Sequence, residues 1–430
     1  MDNALKNGSF LVSDSGSKYK VIRFIGAGGQ GEVYEVERGS QRAALKWYFP
    51  KTATSAQKRI LETLVTKGAP DETFLWPEDL LTQGSSNSLG YIMQLRPRQY
   101  KGIVDMMKRR AEPSFNALCR VAFNLTRGYK KLHDMGFAYR DISFGNVFFD
   151  PDTGNVLICD NDNVSASEQA SVYGTPRFMA PEIIVGNAQP SRNTDLFSLA
   201  VLLFYMFMLN HPLEGKLEAE IKCMDLHAMN LLYGTKPVFI FDPDNKSNRP
   251  VKGYHDNALI YWPLYPERIR ELFTSSFTNG LQTPGKRVTE TQWMDALINL
   301  ILGIVPCSCG AEVFYDDEII KKGAVISCWN CQKAIPTPSS FIIGKNRVLL
   351  LKNTKIYEHH VKGNYDISAI VGTVVQNPNN PNLWGIRNDS ESNWTYIKGD
   401  GSHIVVAPGK TAAIASGAKI DFGQQIGEFA

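Results

Sequence analysis

The sequence predicts an α+β chain: a strand-rich small lobe leads into a helical large lobe, followed by a small cysteine-rich module and an all-β domain. Three observations carry this. Residues 19–48 alternate apolar and polar side chains in three short runs. From Phe115 onward apolar residues recur at helical spacing. After Pro306 four of the seven cysteines cluster between Cys307 and Cys331, and short strand-like runs with Gly, Asn and Pro turns fill the rest.

A chain of 430 residues exceeds one ordinary core, so two to three domains are expected. The expected divisions are a flexible N-terminus (1–18), a small lobe (19–97), a large lobe (98–303), the cysteine module (304–335) and the β domain (339–430). In the small lobe, Tyr19–Ile25, Glu32–Val36 and Ala43–Trp47 read as strands, with glycines between the first two. A helix is expected over Ala56–Thr66, with Ile60, Leu61, Leu64 and Val65 on one face. Strands follow near Asp79–Gln83 and Leu89–Leu95. In the large lobe, Leu118, Val121, Ala122, Leu125, Tyr129 and Leu132 mark a helix over Phe115–Asp134. Val147–Phe149 and Val156–Cys159 read as strands around the turn Pro151–Gly154. Helices dominate from Asp195, and Pro336-Thr337-Pro338 is a short stiff linker.

Composition narrows the function classes. A net charge of +3 provides no electrostatic footprint for nucleic acid or an anionic membrane. The longest apolar run, Leu199–Leu209, is well short of the ~20 residues that span a bilayer. The polar N-terminus lacks the apolar core of a signal peptide, and the expectation is a cytoplasmic protein. Clustered cysteine pairs in that compartment favour metal over disulfide.

The chemistry-bearing residues follow in order. Gly26-Ala27-Gly28-Gly29-Gln30-Gly31-Glu32-Val33 lies between two strand-like runs, where glycines let backbone N–H groups approach phosphate oxygens. No helix follows, which excludes a dinucleotide-binding fingerprint. Lys46 lies on the third strand and is suited to hold the α- and β-phosphates. Glu62, the one acidic residue between Lys51 and Pro70, is its expected carboxylate partner. In Tyr139-Arg140-Asp141-Ile142-Ser143-Phe144-Gly145-Asn146, Asp141 is placed to accept a hydroxyl proton and Asn146 to ligate magnesium. Asp160, directly after a strand, is placed to bridge that metal to phosphate.

Residues 19–302 resemble a protein kinase domain of the Ser/Thr type. Besides these residues, Gly174-Thr175-Pro176-Arg177-Phe178-Met179-Ala180-Pro181-Glu182 carries an Ala-Pro-Glu. Asp195 matches the family's buried helix aspartate, and Arg287 the arginine that pairs with Glu182. The resemblance implies a bilobal kinase fold with ATP and Mg2+ (or Mn2+) as its nucleotide and metal. It implies Asp141, Lys46, Asn146, Asp160 and Glu62 as the catalytic set, with Asn146 and Asp160 on magnesium. ATP binding falls to Gly26, Gly28, Gly31, Val33, Lys46, Met93 and Leu95, and structural or regulatory roles to Arg140, Thr175, Glu182, Asp195 and Arg287. Departures from the family pattern are Tyr139 for the usual His, Ser143 for Lys, and Asp160-Asn161-Asp162 for Asp-Phe-Gly. Asp162 reads as a solvated or capping residue rather than an additional metal ligand. Arg140 is suited to receive a phosphate from the following segment, where Ser165, Ser167, Ser171, Tyr173 and Thr175 carry hydroxyls. Thr175 reads rather as holding the substrate groove.

Cys307-Ser308-Cys309 and Cys328-Trp329-Asn330-Cys331 form two close pairs, and four thiolates so arranged suit a tetrahedral structural Zn2+. With every position a cysteine, no open catalytic site is implied. Phe341–Lys345, Trp384–Ile397, Pro408–Lys410 and Ser416–Gly423 make the tail resemble a forkhead-associated domain, a β-sandwich that reads phosphothreonine peptides. Lys345 and Asn393 are the candidate phosphopeptide residues, and Trp394 replaces the family glycine. The combination resembles bacterial eukaryotic-like (Hanks-type) kinases that work with a phosphatase and a von Willebrand-type partner. The expected function is therefore transfer of the γ-phosphoryl group of ATP to Ser/Thr hydroxyls of protein substrates, with autophosphorylation, in signalling. The alternative is a pseudokinase scaffold that binds nucleotide and partners through its C-terminal modules. No nucleic-acid or membrane partner is expected.

Overall fold

Alternating side chains on residues 18–48 build a pleated sheet with one face buried, as period-two patterning requires. The computed structural model describes residues 4–82, 88–165 and 174–429. Its first sheet orders six antiparallel strands β1-β2-β3-β4-β6-β5: β1 Phe10–Val12, β2 Lys18–Ala27, β3 Gly31–Arg38, β4 Gln41–Tyr48, β5 Asp79–Leu81 and β6 Gly90–Gln94. β5 is shorter than expected, and Gln83 lies outside the described residues. Between β4 and β5 runs α1, Ser55–Lys67, started by Thr54, whose side chain accepts the Gln57 N–H, and stopped at Gly68.

Beyond this sheet, α2 (Phe115–Asp134) is capped by Ser114 and buries the apolar stripe the sequence marks. A small sheet of β7 (Lys101–Gly102), β8 (Val147–Phe149) and β9 (Val156–Ile158) frames the segment that leads to Asp160. α3, Arg192–Met208, is apolar on every side and buried from Thr194 to Met208. It is therefore the central helix of its lobe, and α4 (Glu267–Phe277) packs on it through Phe197–Phe277 and Phe204–Phe273 ring contacts. The run Leu199–Leu209 is thus core. Among the described residues no helix is long and apolar enough to cross a membrane.

The chain divides into two units, Met1–Trp293 and Met294–Ala430. The division falls before the expected boundary at 303, and the cysteine-rich and β segments share the second unit. There, β10 (Ile304–Pro306) pairs with β11 (Glu312–Phe314), and β12 (Ile326–Ser327) with β13 (Ala334–Ile335). The remaining strands are β14 Ser340–Ile343, β15 Asn346–Leu349, β16 Lys355–Tyr357, β17 Ile370–Asn377, β18 Asn380–Asn388, β19 Trp394–Ile397, β20 His403–Val406, β21 Thr411–Ala413, β22 Lys419–Asp421 and β23 Ile426–Phe429. They form antiparallel sheets ordered β15-β14-β23-β22-β19-β20 and β16-β17-β18-β21. Phe341, Val374, Ile386, Trp394 and Ile420, drawn from both sheets, share one apolar core. A short helix, α5 (Glu358–Lys362), follows β16.

Candidate active site and cysteine cluster

The first unit holds a cleft of about 830 Å³ lined by Gly26, Gly28, Gly31, Val33, Lys46, Met93, Leu95, Asp141 and Asp160, all expected from sequence. Ala44, Leu75 and Phe148 add apolar walls that no motif announced. The glycines divide by task. A Cβ on Gly31 would lie 2.2 Å from the Trp47 carbonyl oxygen, so the β3–β4 pairing excludes any side chain there. At Gly26 and Gly28 a Cβ meets nothing within 4 Å, which leaves backbone open towards the cleft.

One expectation is corrected. Glu62 does not pair with Lys46. Its side chain is 51% exposed and reaches Lys58 at 3.9 Å. The helix phase explains this. Thr54 fixes the first turn so that Gln57, Leu61 and Leu64 face inward. Glu62, five residues past Gln57, lies about 140° round a helix of 3.6 residues per turn. Lys46 instead donates to Asp162 Oδ2 at 2.7 Å, to Gln30 Oε1 at 3.1 Å and to Asp160 Oδ1 at 3.5 Å. Burial alone would lower the Lys46 pKa, but Asp162 and Asp160 outweigh it and hold the ammonium above its usual range. Asp162 is therefore not solvated. Its side chain is 0% exposed and also accepts from the Tyr48 hydroxyl. The sequence missed Gln57 as well, which donates to the Asp162 carbonyl at 2.8 Å.

The turn that carries Asp160 is fixed. Asp160 adopts a left-handed conformation (φ 53°), the buried Asn161 follows, and its side-chain amide donates to Leu75 O and Ile158 O, each at 2.9 Å. A neutral amide thus occupies the place of an apolar side chain and satisfies two backbone carbonyls.

Asp141 is held from two sides. The Thr175 hydroxyl donates to Oδ1 at 2.8 Å and the Asn146 amide to Oδ2 at 3.1 Å. Burial raises the Asp141 pKa, and the Thr175 and Asn146 bonds only partly offset it. Because the Asn146 nitrogen also donates to Asp141 O at 2.9 Å, its amide oxygen is the end available to a cation. The loop hangs from Asp195, whose carboxylate accepts the N–H groups of Tyr139 at 2.6 Å and Arg140 at 2.9 Å. Tyr139 is buried, and its hydroxyl donates to Cys159 O. Ser143 is buried too. Ser165 makes a two-bond bridge to Ala138, whereas Ser167, Ser171 and Tyr173 lie outside the described residues.

Two ion-pair arrays support the loop. Arg287 donates to both oxygens of Glu182 at 2.7 and 2.8 Å and to Asn193 O at 2.8 Å. His133, which no motif indicated, lies between Asp195 (3.1 Å) and Glu290. Burial opposes its charge, but the two carboxylates raise its pKa to about 9. Glu290, opposed by burial but bonded by His133 and by Arg192 at 2.8 Å, falls to about 2.

In the second unit the sulfurs of Cys307, Cys309, Cys328 and Cys331 lie within 4.8 Å of one another. The Ala311 N–H, against a smaller effect of burial, lowers the Cys309 thiol to about 6, whereas at Cys331 the lowering by the Lys333 N–H is outweighed by burial and the neighbouring sulfurs, which raise that thiol to about 11. Such a set offers the thiolate donors a soft cation takes. In the β domain Lys345 occupies an exposed turn between β14 and β15, and Asn393 is exposed just ahead of β19. The sequence missed Asn388, fully buried, whose amide spans Ser392 O at 2.8 Å and Val406 O at 2.9 Å and holds that loop. His360 Nδ1 accepts the Tyr357 N–H at 2.9 Å.

A two-lobed fold with a glycine-rich loop, a buried lysine held by carboxylates and a threaded Asp-Asn loop defines a nucleotide-cleft fold of the phosphotransferase kind. The family model for the protein kinase domain matches residues 19–295, and the chain belongs to that family. Among curated proteins, protein kinase C-like 1 of Candida albicans is 36% identical over 98 residues, covering 22% of this chain and 9% of that protein. The probable serine/threonine-protein kinase CCRP1 of Zea mays is 26% identical over 207 residues, 46% of this chain and 32% of that protein. Serine/threonine-protein kinase STE20 of Debaryomyces hansenii is 27% identical over 202 residues, 45% and 18% respectively. The chain thus spans about a third or less of the length of these relatives.

Proposed function

We propose that the chain is a serine/threonine protein kinase that transfers the γ-phosphoryl group of ATP to protein hydroxyls and to itself. The observation that carries the reading is the placement of Asp141. Its carboxylate lines the cleft and is oriented from both sides by Thr175 and Asn146. In this role Asp141 orients the substrate hydroxyl and takes its proton. The Asn146 oxygen and the Asp160 carboxylate suit magnesium, a hard cation that takes oxygen ligands and neutralises phosphate charge when bound. Lys46 holds the phosphates, and Val33, Ala44, Met93 and Leu95 receive the base.

In the same reading the four cysteines hold a structural zinc ion in a ribbon. The β domain is a forkhead-associated-like sandwich kept as a fold rather than as a phosphothreonine reader, with Lys345 and Asn393 the candidate residues should it bind a phosphopeptide. Protein substrates, a phosphatase and a von Willebrand-type protein are the partners, and the setting is cytoplasmic signalling.

The alternative is a nucleotide-binding scaffold without transfer. Labelled ATP decides between them, with the protein itself and a generic protein as acceptors. Wild type should exceed Asp141→Asn by about 100-fold or more, as loss of a general base implies. Equal signals would leave the scaffold.

A further inference from the structure

We propose that Asp162 is the positioning residue for Lys46, aiming its ammonium at the phosphate space in the role for which sequence pointed to a helix glutamate. The proposal rests on the kinase reading and names the device that sets its phosphate-binding cation.

Three observations converge on it. First, the Lys46 side chain is 6% exposed, and a buried ammonium without a carboxylate is costly. Second, the available carboxylates are unequal. Asp162 is fully enclosed at 2.7 Å, whereas Asp160 is 45% exposed at 3.5 Å. The short, enclosed, charge-assisted bond is the stronger one. Third, α1 presents only the neutral Gln57 on this side, and it bonds to the Asp162 backbone carbonyl.

The anchor is itself immobilised. Tyr48 donates to the same Oδ2. Asn161 pins the preceding residue through Leu75 O and Ile158 O. Of its two oxygens, Oδ2 serves Lys46 and Tyr48, while Oδ1 is buried without a hydrogen-bond partner. Lys46 is therefore aimed by the segment that also carries Asp160, and α1 supplies no charge to it.

Two measurements test the proposal on the full chain: steady-state kinetics with varied ATP, and acetylation of Lys46 by an N-hydroxysuccinimide ester of acetate, followed by peptide mass spectrometry. Asp162→Asn should lower kcat/KM for ATP by about 100-fold, the scale of a misplaced reacting geometry. It should also speed Lys46 acetylation by about tenfold or more, since one pKa unit is a tenfold change in free amine. Glu62→Gln, on the exposed face of α1, should leave both within about twofold. The proposal is overturned if Asp162→Asn changes neither quantity, or if Glu62→Gln alters either as much. Circular dichroism reports folding. If Asp162→Asn does not fold, the Glu62→Gln acetylation rate still decides, because acceleration there makes α1 the anchor and unchanged protection supports Asp162. Acetylation needs no turnover, so the anchor is judged even if Asp141-dependent transfer is absent and the kinase reading fails.

Discussion

Replacing His133 should change how stability depends on pH, and the structure sets the size and sign. His133 faces Asp195 with one ring nitrogen and Glu290 with the other. A neutral imidazole carries one N–H, so only imidazolium bonds both carboxylates. The folded pKa of about 9 lies above the ordinary 6.5. A rise of that size is worth about 3 kcal/mol of stability. For a raised pKa, the contribution is complete below pH 6.5 and is lost as pH climbs through 9. Glu290 works in the opposite sense. Its pKa of about 2 against 4.5 means its share is present above 4.5 and lost as pH falls through 2. Both contributions are therefore whole between about pH 4.5 and 6.5. Urea unfolding of wild type and His133→Asn across pH 6–9.5 measures the difference directly. The advantage of wild type should shrink by about 3 kcal/mol from pH 6.5 to beyond 9. Parallel curves would refute the doubly bonded imidazolium.

Two further outcomes follow from the same physics. Arg287→Ala leaves Glu182 without its bidentate partner and should destabilise the first unit by about 3–5 kcal/mol, read by guanidinium unfolding; a loss under about 1 kcal/mol would mark the pair as incidental. Purified protein should carry one zinc ion per chain by elemental analysis. Cys328→Ser should remove it and lower the melting temperature of the second unit, as metal-linked folding requires, and unchanged metal content would contradict the four-thiolate site.

Legibility in the sequence followed locality. Ala180–Glu182 is readable only as a motif, since Glu182 meets Arg287 105 residues on, whereas Gly26–Val33 and Asp141 with Asn146 are readable because each acts within a few residues of itself. The paired cysteines were readable for the same reason, since a metal imposes spacing. The Lys46 partner failed because it depends on helix phase, which Thr54 sets. A count of acidic residues selects Glu62, but the rotation of α1 excludes it. Asp162 was misread because burial of a carboxylate is decided by what surrounds it, here Lys46 and Tyr48 from a different strand. His133 gave no signal, since its two carboxylates are 62 and 157 residues away in the chain. Lys345 and Asn393 rest on position in a pattern alone, and both are exposed.

The pinned Asn161 bears on inhibitor chemistry. A ligand that binds only with the Asp160–Asp162 turn inverted would have to break what holds that turn. In this chain inversion breaks the two Asn161 bonds and strips the buried Lys46 of its nearest counter-charge. At about 1 kcal/mol for each neutral bond and more for the charged one, that is a loss of several kcal/mol that such a ligand would have to recover. Ligands that fill the cleft lined by the glycine-rich loop and Phe148 with the turn in place meet no such cost. A screen of chemically matched pairs should therefore return compounds that leave the turn in place.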